Sequence, residues 1–286
     1  MKIFIDVGSH TGETLLEVIK EKYAFEKIVC FEPSKFCLDK LEKFAAEDNR
    51  IVICEFGLSN GNKDAELFQP GAVTGSIYKD YKDYKDYKDE DYSLDKDEDH
   101  SLDKEEVEKI KLCDANEWFE NNISADDYIV VKTNCEGSEV DILDSLLDGN
   151  YMKNIYSFLI DFDIRYHKEF QHRELEIRKR LQEQKQKNFC FSNDVLIGVS
   201  HSKRIENWLT LFGIDSNISD IEKLRNQYKD QFLKYSSKSG FFSRWEIRLK
   251  RSINYNNFPY WAKKSLRFSK KAIVKLKMKL FMDRMV

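Results

Sequence analysis

Residues 2–12, KIFIDVGSHTG, decide how this sequence folds. A short apolar run, the mark of a buried strand, ends at Asp6. Asp6-Val7-Gly8-Ser9-His10-Thr11-Gly12 then reads as D-x-G-x-x-x-G. Glycine accepts positive φ and lets a ligand or a second backbone come close. Residues 11–21 place Leu15, Leu16, Val18 and Ile19 for one apolar helix face. The same unit repeats outward from there. KIVCF (27–31) is a second strand, ending at Glu32-Pro33-Ser34, and 34–47 is a helix with Phe36, Leu38, Leu41 and Phe44 near helical spacing. RIVICEF (50–56) is a third strand, closed by Gly57. Strand–helix–strand–helix–strand, with each strand a short apolar run, predicts an α/β fold: a parallel sheet with helices on both faces.

The pattern then breaks. Residues 78–89 are four copies of Tyr-Lys-Asp, followed by the related SLDKDEDH and SLDKEEVE. Residues 78–106 carry 6 Lys against 13 Asp and Glu. A period of three suits neither helix nor strand, so the stretch is expected to be a solvated, acidic insertion in a surface loop. The sheet is expected to resume at DYIVVKT (127–133), followed by a helix that Gly149 stops. A strand over 155–161, a charged helix over about 168–187 and a hairpin of 188–191 with 194–199 complete about seven strands. The domain reading is therefore 1–200 for the sheet and 201–286 for a helical, basic extension.

The 286 residues are 41% hydrophobic and 34% charged, with 20 Phe, 14 Tyr and 4 Trp, and this is enough to fill a core. Eleven Gly and three Pro exclude a collagenous chain. No run approaches the roughly 18 apolar residues of a spanning helix. MKIFIDVGSH runs straight into a strand, so a cleaved secretory signal is not expected. The six cysteines form no C-x-x-C pair and read as buried free thiols of a reducing cytosol. The net charge of −4 hides a split: 13 Lys and Arg against 2 Asp and Glu in 241–286, and a net of −15 before it. A basic tail on an acidic body points to a polyanionic partner for the tail.

In open parallel sheets ligands bind beyond the carboxyl ends of the strands, and an acid ending the second strand commonly holds a ribose diol. Glu32 stands at that place. The dinucleotide spacing G-x-G-x-x-G is absent, and so is a P-loop. A turn carrying an acid and few basic residues suits a cationic cofactor better than a pyrophosphate, and S-adenosylmethionine, with its sulfonium and ammonium, fits.

Four blocks then carry a resemblance: FIDVGSHTGET, CFEPS, EFGLSNGNKDAELF and VVKTNCEGSEVDIL, in this order. Together they resemble the FkbM-type methyltransferases over roughly residues 2–200. These are S-adenosylmethionine-dependent O-methyltransferases of the class I, Rossmann-like fold. The resemblance implies that Asp6, Gly8, Ser9 and Gly12 line the methionine part of the cofactor. It implies that Glu32 holds the ribose hydroxyls, with Pro33 and Ser34 shaping the wall, and that Gly57 and Leu58 lie near the adenine. Lys132, Glu136, Gly137 and Glu139 match the family's K-x-D-x-E-G-x-E block. Asn134 stands where the family has Asp, and an amide cannot take up a proton at neutral pH. Either another group deprotonates the acceptor, or the chain is a weak or inactive cofactor-binding protein with a scaffold or regulatory role. Another Rossmann-like nucleotide-dependent enzyme is the remaining rival. The implied acceptor is a hydroxyl on a sugar of a glycan or glycoconjugate.

Methyl transfer to oxygen needs the acceptor aligned opposite the departing sulfur and its proton removed. The candidate bases are Glu136, Asp161, Asp163 and His167 at the strand ends, and His10 in the first loop. Glu136 reads equally as a partner of Lys132, and the others as solvated or hydrogen-bonded residues. Asp161 and Asp163 flank Phe162 and could hold a sugar diol or a divalent metal, although nothing in the sequence supports a metal. In the tail, 259–282 can form a basic amphipathic helix that lies on anionic membrane, or a terminal helix with its lysines in water. No signature of a nucleic-acid-binding module accompanies the charge, so no nucleic-acid partner is expected. The expected location is cytoplasmic, with peripheral membrane contact through 259–282 under the first of these readings.

Overall fold

The structure, a computed structural model, describes residues 1–79, 106–167, 169–192 and 200–214. The strand expected over 194–199 and the basic stretch 259–282 lie outside the described residues. Met1–Trp208 form one compact unit, and a second runs from Leu209 onward.

The first unit is built on a parallel sheet. Its strands are β1 (Lys2–Val7), β2 (Lys27–Phe31), β3 (Ile51–Cys54), β7 (Tyr128–Thr133), β8 (Ser157–Ile160) and β9 (Phe189–Phe191). Their order is β3-β2-β1-β7-β8-β9, and every pairing is parallel. β9 pairs in parallel with β8, and the second arm of the expected hairpin lies outside the described residues. The α/β architecture expected from the opening residues is the one observed. β1 is buried on both faces because it lies mid-sheet. Ile3, Ile5 and Val7 join the core with α3 (Ala115–Asn122), α4 (Glu139–Asp148) and α5 (His172–Glu183). Phe4 points to the other face, 5.2 Å from Phe25 and 6.1 Å from Trp208 by ring centroids.

Three features depart from the sequence reading. The first helix, α1, is only Leu15–Val18. Gly12, at φ +94°, bends the chain before it, and Lys20 turns extended after it. A second, three-stranded sheet was not expected: β4 (Gly57–Ser59), β6 (Val107–Asp114) and β5 (Lys63–Phe68), in that order. Its local signal is the alternation of Ile110 and Leu112 with exposed Lys109 and Lys111 in VEKIKLCD. Finally, Tyr78, the first residue of the Tyr-Lys-Asp run, is half-buried: its ring packs 4.7 Å from His167 and 5.0 Å from Phe170. α4 ends at Gly149 as expected, but Gly149 keeps helical φ, and Asn150 takes the left-handed turn.

Candidate active site

A cavity of about 290 Å³ opens beyond the carboxyl ends of β1, β2 and β7, where an open parallel sheet leaves a crevice. Its floor is the glycine turn. Gly8, at φ +76°, lies so close to the β7 loop that a Cβ there would stand 1.9 Å from the Asn134 carbonyl oxygen. The turn is pinned to β2: the Gly8 and Ser9 N–H groups both donate to the Phe31 carbonyl, at 3.0 and 3.1 Å. The His10 N–H donates to Glu32 Oε2 at 2.8 Å, and the Gly12 N–H to the Ser9 carbonyl. The N–H groups that a phosphate would use are therefore already engaged.

Glu32 ends β2 and is 7% exposed. Its other oxygen, Oε1, accepts the Ser34 N–H at 2.9 Å. Each oxygen thus spends one lone pair on the loops and keeps another for a ligand. Burial pushes the carboxyl upward in pKa, against the pull of the Ser34 and His10 N–H groups. Gly8, Ser9, Glu32, Pro33, Ser34, Gly57, Leu58, Asn134 and Glu136 all line the cavity. Asn134 Oδ1 is buried and has no hydrogen-bond partner among the described residues.

Asp6 and Gly12 are not among the lining residues, in contrast to the expectation that they touch the cofactor. Asp6 is fully buried beneath the turn, with Oδ1 2.9 Å from Lys132 Nζ. Lys132 also donates to the Gly8 carbonyl at 2.9 Å. Burial raises the Asp6 pKa, and Asp6 in turn outweighs the effect of burial on Lys132 and holds the ammonium charged. Gly12 is a packing glycine; a Cβ there would stand 2.7 Å from the ring of Phe44 on α2 (Lys35–Glu47). Lys132 is therefore a partner of Asp6 rather than of Glu136.

The acids beyond β8 form a neighbouring cluster outside the cavity lining. Arg165 binds Asp161 at 2.8 Å and Asp163 at 3.5 Å. Burial raises the Asp163 carboxyl well above its ordinary range, and Glu136 and Asp161 push the same way. His167 is 3% exposed, under Tyr78. No group of three or more metal-binding side chains is gathered among the described residues. Glu139 is a staple: Oε1 accepts the Asp163 and Ile164 N–H groups at 2.6 and 2.8 Å, and Oε2 accepts that of Gly137 at 2.9 Å. It fixes the β7 and β8 loops together. The β7 turn is itself strained, with Glu136 at φ +48° and Gly137 at φ +106°, and the Ser76 hydroxyl holds the Glu136 carbonyl at 2.7 Å. Such strain concentrates at functional sites.

Both ring nitrogens of His10 are engaged. Its Nδ1 pairs with Glu13 Oε1 at 2.9 Å, and Nε2 donates to the Gly71 carbonyl at 3.1 Å. Burial alone would lower its pKa, but Cys37 and Glu13 outweigh burial and raise it to about 10. Among the lining residues that the sequence reading missed are Glu13 and His201. His201 opens α6 (His201–Leu211). Glu13 lies in the D-x-G-x-x-x-G turn region and could have been found there. His201 has no local signal at all.

No protein-family model matches this chain, and no curated protein matches it. Among solved structures, it is similar to the crystal structure of methyltransferase FkbM from Methylobacillus flagellatus KT, at 16% identity and a TM-score of 0.35. The similarity covers 63% of this chain and 37% of that one, so the chain spans well under half of that protein's length. No described helix is long and apolar enough to cross a membrane.

Proposed function

We propose that this protein transfers the methyl group of S-adenosylmethionine to a hydroxyl on a sugar of a glycan or glycoconjugate. The observation that carries the reading is Glu32: a buried carboxylate at the end of β2, tethered by two loop N–H groups and facing a cavity beside the glycine turn. Its free lone pairs suit a vicinal diol. The pinned N–H groups of Gly8, Ser9, His10 and Gly12 leave the turn poor in donors for a pyrophosphate, which weighs against a dinucleotide enzyme. The sugar acceptor rests on the resemblance of the four sequence blocks.

The residues present fit the cofactor. Glu32 would hold the ribose hydroxyls, Gly57 and Leu58 the adenine side, and Gly8, Ser9 and Asn134 the methionine side. Asn134 Oδ1, without a hydrogen-bond partner among the described residues, offers an acceptor to an ammonium there. When bound, the cofactor supplies a methyl group on a positively charged sulfur. The protein's own part is to orient the acceptor hydroxyl, to exclude water and to receive its proton. Positioning can contribute up to about 7–11 kcal/mol, and a placed base about 10²–10⁴-fold. Glu136, lining the cavity on a strained turn, borders the acceptor's expected place.

Calorimetry of the full chain with S-adenosylmethionine tests the first half of the reading, with NAD as the comparison. Binding of the former alone is expected, and Glu32→Ala should weaken it at least tenfold. Binding of NAD alone, or unchanged affinity in Glu32→Ala, would overturn it. Radiolabelled methyl transfer to glycan fractions, with and without chelator, tests the second half.

A further inference from the structure

His201 lies beyond the stretch that resembles the methyltransferases, yet it lines the same cavity. Its place is fixed through its own helix. The buried Trp208 indole N–H donates to Ser157 Oγ on β8 at 2.9 Å, and the ring packs on Phe4 of β1. One edge of the imidazole is engaged, because His201 Nε2 stands 3.1 Å from Thr14 Oγ1. Four charged groups act on the ring electrostatically: Lys132 of β7, Arg204 of its own helix, Glu13 of the loop after β1 and Asp161 after β8.

We propose that His201 is a catalytic residue: Nε2–H donates to Thr14 Oγ1, and Nδ1 takes the proton of the acceptor hydroxyl. The proposal rests on the methyl-transfer reading above. The step balances. The acceptor oxygen bonds to the methyl carbon as the carbon–sulfur bond breaks, the electron pair of that bond stays on sulfur, and the hydroxyl proton passes to Nδ1. One positive charge disappears at sulfur and one appears on the ring, so the two never coexist. Burial first, then Lys132 and Arg204, lower the His201 pKa to about 4 against the weaker pull of Glu13 and Asp161. The resting ring is thus neutral at pH 7 and keeps a lone pair. His10, the other histidine of the cavity, is held as a cation and has none to give.

Imidazole ¹⁵N spectra of the full chain at pH 7 test this. The His201 signals are identified by their loss in His201→Gln, with His201→Asn as a second variant if the first misfolds. S-adenosylmethionine or S-adenosylhomocysteine is then added, with binding followed by calorimetry. The expected ring is neutral, with its proton on Nε2. Its signals should move with either compound and differ between the two complexes, because only one carries a charged sulfur. Thr14→Val should shift Nε2, which loses its partner. A charged ring, a proton on Nδ1, or signals unmoved by a compound that calorimetry shows bound would overturn the role of His201 and leave the methyl-transfer reading standing. Failure of either compound to bind would overturn that reading and this proposal together.

Discussion

Lys132 Nζ lies 2.9 Å from Asp6 Oδ1, and neither side chain reaches solvent to more than 5%. The pair sits directly under the glycine turn and joins β1 to β7. Breaking a buried pair leaves one charge stranded, at a cost of about 3–5 kcal/mol. Lys132→Met is expected to lose about that much stability in urea unfolding of the full chain. Asp6→Asn combined with Lys132→Met should recover most of it, because no charge is then left unpaired.

Gly8→Ala and Gly149→Ala test which close approaches can relax. Both added Cβ atoms would stand 1.9 Å from an oxygen. At Gly8 that oxygen is the Asn134 carbonyl, in fixed backbone, and φ is +76°. At Gly149 it belongs to the Asn116 side chain, which can turn away, and φ is −74°. Gly8→Ala is therefore expected to cost several-fold more in thermal unfolding and to abolish calorimetric binding of S-adenosylmethionine.

The histidines make opposite contributions to stability against pH. The His10 pKa is raised to about 10, so the folded state binds the extra proton above the unfolded value of about 6.5. Its stabilisation is complete below about pH 6.5 and is lost as pH rises toward 10. Glu13, lowered to about 2 by its pairing with His10 against the effect of burial, loses its contribution as pH falls from about 4.5. His201 is lowered to about 4, so the unfolded chain binds more protons between about pH 4 and 6.5, and stability rises with pH across that window. In urea titrations, His10→Gln should flatten the alkaline limb and His201→Gln the acid limb.

Asn134→Ala removes a buried oxygen that has no hydrogen-bond partner among the described residues. Without ligand the thermal midpoint should hardly change, since no hydrogen bond to Oδ1 among the described residues is lost. Affinity for S-adenosylmethionine should fall about tenfold, the value of one lost hydrogen bond. Asn134→Asp provides the complementary test: methyl transfer appearing only in that variant would mark the natural chain as a cofactor-binding protein without turnover.

Much of this molecule is written locally. The apolar runs at β1, β2, β7 and β8 are strands because a parallel sheet buried on both faces needs unbroken hydrophobic segments. The glycine turn and the acid after β2 are equally local, and Gly8 and Glu32 do reach one cavity. Alternation also marks β6, immediately after an acidic run whose composition alone gives no sign of it.

The sequence by itself determined the wound α/β sheet and the end of it at which the crevice opens, because strand periodicity and glycine turns are short-range properties of the chain. Only the tertiary structure decided which polar residues reach that crevice. Asp6 turns inward to Lys132, Glu139 ties two loops together, and His201 arrives from the far end of the unit on a helix anchored by Trp208. Burial and charge pairing depend on neighbours remote in the chain, and no local spacing encodes them.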